Sequence, residues 1–187
     1  MSMLRLFTLL GYCFFSLASV AQQVIPVLTK SNALVLGVDA KNNLSSVYFG
    51  QRLADEREYT NVLSMYRQTE EYSGVADAAY SSAGSRNLFE PAISVVHGDG
   101  NTGLELAYVS HSSQTMPKGV TLTTIILRDR VYPFQVKLFY KTYAEQDVVE
   151  IWSSISHTEK KPVTLTKFAS ANLYLRAPEF WLRNYHG

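Results

Sequence analysis

Three glycines in the stretch HGDGNTG, Gly98, Gly100 and Gly103, stand at the spacing G-x-G-x-x-G. With that spacing a strand-to-helix turn can cradle the pyrophosphate of a dinucleotide. The chemistry requires a helix directly after the glycines, because the helix N-terminus supplies the N–H groups and the dipole that hold the phosphate. The residues after Gly103 read LELAYVSH, in which Leu104, Leu106 and Tyr108 alternate with Glu105 and Ala107. That is the period of a strand. The dinucleotide reading therefore falls. The stretch is expected to be a hairpin connection between AISVV and LELAYVSH, with Asp99, Gly100 and Asn101 supplying the positive φ angles of a tight turn. Asp99-Gly100-Asn101 also has the look of a calcium loop, but it lacks the spaced acidic ligands and closing glutamate that such a loop needs.

Other reactive side chains are scattered. His97, His111, His157 and His186 form neither H-x-H nor H-E-x-x-H, so a metal site would have to be assembled by the fold, and none is expected. There is no G-x-S-x-G nucleophile elbow, and the sole cysteine is Cys13. Glycoside hydrolysis needs two carboxyl groups within several ångströms. Asp39, Asp55, Asp77, Glu90, Glu105, Asp129, Asp147 and Glu150 are available, but spacing alone does not pair any of them across a sheet. Glu150 lies in an alternating segment and reads as a solvated cross-strand residue. No catalytic residue is assigned. Trp181 and Tyr185 in APEFWLRNYHG are candidates for stacking on a sugar ring at a cleft rim. Their alternative is to fill a core, as aromatic side chains commonly do.

The elements that would position these groups are strands. ALVLGV and LSSVYFG flank the turn DAKNN. VTLTTIIL is rich in β-branched residues and puts Val120, Leu122, Thr124 and Ile126 on one face. FQVKLFYKTY turns Phe134, Val136, Leu138 and Tyr140 one way and Gln135, Lys137 and Lys141 the other, the period of a strand with one wet face. DVVEIWSSIS comes after the turn AEQ, and VTLTKFASANLYL after the turn TEKKP. Short connections join antiparallel strands, whereas parallel ones need a long crossover. The expected fold class is all-β, built of layered antiparallel sheets. Between Gln51 and Pro91 the alternation lapses. A short helix is expected near 53–65, and the rest reads as an interface loop or a solvated connector.

The 187 residues are 47% hydrophobic and 18% charged, which argues for a packed core and against disorder. At the N-terminus, Arg5, the apolar run LFTLLGYCFFSLA, and Ser19 and Ala21 before Gln22 make a secretory signal pattern over residues 1–21. Its removal would leave a chain without cysteine, which suits a bacterial periplasmic or secreted protein better than a small disulfide-stapled domain. It would also leave 16 basic and 16 acidic residues, since Arg5 takes one of the 17 basic ones with it. Zero net charge offers nothing for nucleic acid, and no second stretch is apolar enough to span a membrane.

The ordered series VYFGQRL, NLFEPAISVVHGDGNTGLELAYVSH and RDRVYPFQVKLFYKTYAEQDVVEIWSSISHTEKKP resembles the N-terminal β-domain of the glycoside hydrolase family 36 α-galactosidases, particularly secreted Bacteroidetes-type members. The likeness runs from about Ala33 to Gly187. It lies in an EPA segment, a DG turn, a YVSH strand end, a YPF-x-V-x-L-x-Y pair and a W…H-x-E-K-K-P hairpin. It implies an antiparallel β super-sandwich over residues 22–187, then a barrel carrying two catalytic aspartates, and retaining hydrolysis of terminal α-galactosides of the melibiose and raffinose type. It implies no metal or organic cofactor. On this reading both aspartates lie beyond Gly187, the N-terminal domain is itself cut short, and the chain alone is inactive. A loop from this domain closes a neighbouring subunit's site in some relatives, so a homo-oligomer is expected of the complete enzyme. Two other functions fit the same residues: a stand-alone secreted carbohydrate-binding module, and a β-module that serves packing and oligomerisation.

Overall fold

The computed structural model describes residues 23–65, 77–84 and 90–175. The signal segment 1–21 lies outside them. Among the described residues, nine strands and one α-helix succeed one another: β1 (Gln23–Leu28), β2 (Asn32–Val38), β3 (Leu44–Gln51), α1 (Glu58–Met65), β4 (Ile93–Val96), β5 (Leu106–Met116), β6 (Val120–Asp129), β7 (Phe134–Tyr143), β8 (Val148–His157) and β9 (Thr164–Phe168). They form three sheets, β1-β2-β3, β4-β9 and β5-β6-β7-β8, and every one of these strand pairs is antiparallel. The fold is the expected all-β sandwich.

Side-chain alternation decides how the sheets stack. In β7 every second residue is buried, from Phe134 through Val136, Leu138 and Tyr140 to Thr142, as the sequence pattern requires. Ile125 stands opposite Leu138, and Leu127 opposite Val136. These side chains meet Ile25, Val27, Leu34, Leu36 and Val38 of the three-stranded sheet, with Ile93 and Val95 of β4, in one continuous core. In β6 the buried face is therefore Thr123, Ile125 and Leu127. Val120, Leu122, Thr124 and Ile126 do share a face, but it is the outer one.

Strand β2 is buried on both sides. Its second face, Ala33 and Val35, packs with Tyr59 of α1. Gly37 allows the helix to approach: a Cβ there would lie 2.5 Å from Leu63 Cδ1 and 2.7 Å from Val47 Cγ2. The layers are thus helix, three-stranded sheet, core and four-stranded sheet.

Three turns between paired strands place residues at positive φ, whereas in HGDGNTG Gly100 alone, and neither Asp99 nor Asn101, takes the positive φ expected there. Asp39 Oδ1 accepts the N–H groups of Lys41 and Asn43, and Asn42 takes φ 63° between β2 and β3. Lys118 and Gly119, both at positive φ, close the β5–β6 hairpin. Asp147 (φ 52°) comes after the 3-10 turn Ala144–Gln146 between β7 and β8. Its Oδ1 accepts the Thr29 hydroxyl and the Ser31 N–H, each at 2.7 Å, and ties that hairpin to the β1–β2 turn.

Two connections differ from expectation. The strands flanking HGDGNTG do not pair with each other: β4 pairs with β9, and β5 pairs with β6. Likewise β8 pairs with β7, not with β9. Both segments turn tightly, but they carry the chain from one sheet to another. Leu104 cannot begin a hairpin strand with β4, because its N–H donates to Ala83 O and its carbonyl accepts the Ser82 hydroxyl.

Candidate functional site

Three connections converge at one end of the sandwich: β4–β5, β6–β7 and β8–β9. The first opens with His97, whose backbone N–H donates to Asn101 O and whose carbonyl accepts from Gly100 N–H, both at 2.8 Å. Gly100 makes this closure with φ 91°. The His97 side chain turns inward and is fully buried. Its Nδ1 lies 2.8 Å from Glu159 Oε1, and its Nε2 lies 3.1 Å from Gly103 O. Glu159 comes from the β8–β9 connection, with 9% of its side chain exposed. Its other oxygen, Oε2, accepts the Gly98 N–H at 3.1 Å. Gly98 must be small here, since a Cβ would sit 2.6 Å from Lys161 Cβ.

The β6–β7 connection supplies Tyr132. Its ring stacks on the imidazole at 3.7 Å between centroids with 8° between planes, while Phe134 meets the same imidazole edge-on at 5.9 Å. The Tyr132 hydroxyl donates to Asp99 Oδ2 at 2.8 Å. Asp129 presents the tyrosine: its Oδ1 accepts the N–H groups of Val131 and Tyr132, and its Oδ2 accepts the N–H of Glu105. Tyr132, Pro133 and Thr158 are shared by two adjoining surface depressions of about 390 and 320 Å³. Asp99, Lys160 and Lys161 line the first, and Arg128, Gln135 and His157 line the second.

The electrostatics are set by these contacts. Burial pushes the Glu159 carboxyl up, but the hydrogen bonds from His97 and from Gly98 N–H outweigh it and hold the group below the usual glutamate range. The Asn101 N–H and the Tyr132 hydroxyl hold Asp99 low, and the bond to Asp99 pushes the Tyr132 phenol up. Both carboxylates already accept donors, Glu159 from His97 and Gly98 and Asp99 from Asn101 and Tyr132. The arrangement is suited to fastening chain segments and holding a proton, and it presents no nucleophile beside a general acid.

The remaining residues considered from the sequence are dispersed. His111 Nδ1 lies 2.8 Å from the Tyr108 hydroxyl, and burial lowers the His111 pKa. His157 is exposed and stacks over Phe134 at 6.4 Å. Glu150 stands opposite Lys141 and accepts the Tyr143 hydroxyl, the solvated cross-strand role expected of it. Glu105 pairs with Arg130, and Asp55 pairs with Arg57. Asp99 and Asn101 cap their own turn, with Asp99 Oδ1 taking the Asn101 N–H and Asn101 Oδ1 the Gly103 N–H. Among the described residues no group of three His, Cys, Asp or Glu side chains converges as a metal site, and no helix there is long and apolar enough to cross a membrane. Trp181, Tyr185 and His186 lie outside the described residues. Sequence reasoning did not single out Glu159 or Tyr132 for a site. Their signal was present in the H-x-E-K-K-P and YPF segments, each separated from HGDGNTG by tens of residues.

Comparison with known proteins adds an independent line. The family model described as the glycosyl hydrolase family 36 N-terminal domain matches residues 42–187. No curated protein matches the sequence. Among solved structures, the α-galactosidase from Lactobacillus brevis superimposes with a TM-score of 0.69 at 18% identity, over 83% of this chain and 24% of that one. The galactosidase domain of the α-galactosidase-sucrose kinase AgaSK gives 0.68 at 19%, over 80% and 24%. The family 36 α-galactosidase AgaA from Geobacillus stearothermophilus gives 0.67 at 16%, over 79% and 24%. Variants of AgaA have been solved with raffinose and with stachyose. At these identities the likeness is one of fold, and the chain spans about a quarter of the length of the enzymes it resembles.

Proposed function

The chain belongs to the glycosyl hydrolase family 36 N-terminal domain family, and from that premise we propose that it is the non-catalytic β-domain of an exported bacterial α-galactosidase. The observation that carries the proposal is the family match over residues 42–187, coinciding with a sandwich whose solved neighbours are α-galactosidases. The substrate class is terminal α-galactosides of the melibiose and raffinose type, hydrolysed with retention. Raffinose and stachyose bound to a neighbour of the same fold support that class. The catalytic carboxylates belong to a barrel outside this sequence. The described carboxylates in and around the His97 cluster are consistent with this, because they are engaged by backbone donors, cations or loop side chains. Residues 1–21 act as the export signal, and the complete enzyme assembles as a homo-oligomer.

The test is to compare the 187-residue chain with the polypeptide encoded by the same gene read past Gly187. Both are assayed on a chromogenic α-galactoside and on raffinose, with the product anomer followed by NMR. The short chain should give no turnover, and the extended one should release α-galactose first. Turnover by the short chain, or a reading frame that closes without a barrel, would refute the proposal. Fractionation of the native host, with the protein recovered outside the cytoplasm and starting at Gln22, tests the export step.

A further inference from the structure

We propose that His97 carries both ring protons and forms with Glu159 an imidazolium–carboxylate latch, which fastens the β4–β5 connection to the β8–β9 connection. The inference is independent of the glycosidase reading. It rests on what each ring nitrogen faces. Nδ1 faces a carboxylate oxygen at 2.8 Å, and Nε2 faces the Gly103 carbonyl oxygen at 3.1 Å. An ionised carboxylate and a peptide carbonyl are acceptors only, and a neutral imidazole has one N–H and one bare lone pair. Either neutral tautomer would aim that lone pair at an acceptor oxygen inside a closed site. The doubly protonated ring satisfies both contacts. A proton moved to Glu159 Oε1 would satisfy the same contacts, with Nε2–H on the Gly103 carbonyl and Nδ1 accepting from Oε1–H, but Glu159 is held in its ionised form, its Oε2 receiving the Gly98 N–H, and the proton stays on the ring.

The groups around the imidazole support the assignment. Glu159 and Asp99 contribute negative charge, with Asp99 held through the Tyr132 phenol. Tyr132 covers one ring face and Phe134 meets the ring edge-on. His157 and Lys161 are the nearby basic side chains: the first acts on Glu159 through space, and the second lies against Gly98. Because Glu159 is held in its ionised form, acid opens the latch only as the pH falls through that lowered range.

The primary test is direct. The chain is produced with ¹⁵N-labelled histidine, and ring nitrogen shifts with their attached protons are recorded at about pH 7, above the unfolded histidine value. Protons on both nitrogens of His97 are the expected result, and one bare nitrogen would overturn the latch. The second test removes the carboxylate. In Glu159→Gln one ring nitrogen of His97 should be bare under the same conditions, and protons on both would overturn the pairing with Glu159. Should the variant fail to fold, the ring-nitrogen measurement on the unsubstituted chain still decides the question.

Discussion

Gly98, Gly100 and Gly103 lie close together in one loop, yet the structure gives each a different reason to be glycine, and replacing each by alanine separates the reasons. At Gly98 a Cβ would lie 2.6 Å from Lys161 Cβ and 3.3 Å from the Lys161 Cα and carbonyl oxygen. Ordinary van der Waals contact begins at 3.4 Å, so the two connections must part by about 0.8 Å. Lys161 Cβ is fixed by its backbone, and rotating a side chain gives no relief. Overpacking of this kind costs about 1–3 kcal/mol. The parting also stretches the Gly98 N–H bond to the Glu159 carboxylate, and a bond to a charged group contributes about 1.5–3 kcal/mol. Gly98→Ala should therefore cost about 3 kcal/mol, taking partial loss of each. At Gly100 nothing lies within 4 Å, but φ is 91°, and a left-handed backbone costs an L-residue about 1–2 kcal/mol. Gly100→Ala should cost about 1 kcal/mol with the latch intact. At Gly103 the new methyl would meet only Asn101 Oδ1, at 3.3 Å, a contact relieved by a shift of a few tenths of an ångström that keeps the Gly103 N–H bond to that oxygen, so Gly103→Ala should stay within about 0.5 kcal/mol of the parent. Urea unfolding of the parent and the three variants by circular dichroism, fitted with a common m value, gives the differences. The order Gly98, Gly100, Gly103 is the expectation. If Gly98→Ala were as stable as Gly103→Ala, the close approach of the two connections would be wrong, and the latch geometry with it.

Other substitutions probe the sheets and the turns. Leu138→Ala empties a fully buried position opposite Ile125 and should cost about 2–5 kcal/mol. Ile126→Ala, one residue along β6 and on the outer face, should cost about 1 kcal/mol or less, and equal costs in urea unfolding would contradict the assignment of faces. Asp147 is held below the usual aspartate range by the Thr29 hydroxyl and then the Ser31 N–H. The stability it supplies is complete above its unfolded value and is lost as pH falls through the lowered folded one. Asp147→Asn should lower stability at neutral pH and flatten the loss that thermal melts show as pH falls below about 4, the unfolded aspartate value. Phe139 and Trp152 stack at 5.0 Å with 8° between planes on the outer face. A double-mutant cycle with leucine at both positions should return a coupling of about 0.5–1.5 kcal/mol, and a coupling near zero would mean that the pair merely shares a face.

Local pattern carried most of the fold. Strand β7 announces its buried face because, Phe139 and Tyr143 apart, its apolar residues fall on one parity and its lysines on the other. Strand β6 does not: VTLTTIIL is apolar or β-branched at both parities, so only its register against β7, with Ile125 opposite Leu138, selects the inward face. The turns at HGDGN and TEKKP were legible from Gly, Asp and Pro. Their destinations were not, because turn chemistry fixes a reversal of direction and says nothing about which strand will be met afterwards. The pairing of β4 with β9 joins residues some seventy positions apart, a separation at which sequence periodicity holds no information. The same distance hid the cluster. His97 and Glu159 are 62 positions apart, and each looks like an ordinary solvated residue in its own window.

The position of the latch explains why these two motifs accompany each other. A two-stranded sheet is marginal on its own, and β4 has four residues against five in β9. Ile93 and Val95 anchor β4 in the shared core, but Leu165 and Phe168 of β9 remain half exposed, so burial alone holds this pair loosely. The register ends with Val96 opposite Thr164. His97 is the next residue on one strand, and Glu159 lies just before the other. Their contact therefore closes the pair at the end where the ladder stops, and Tyr132, placed by Asp129, seals the contact against the four-stranded sheet. A histidine, a glutamate and an aromatic ring that would suggest acid–base chemistry in isolation are, in this geometry, the fastening between the smallest sheet and the largest.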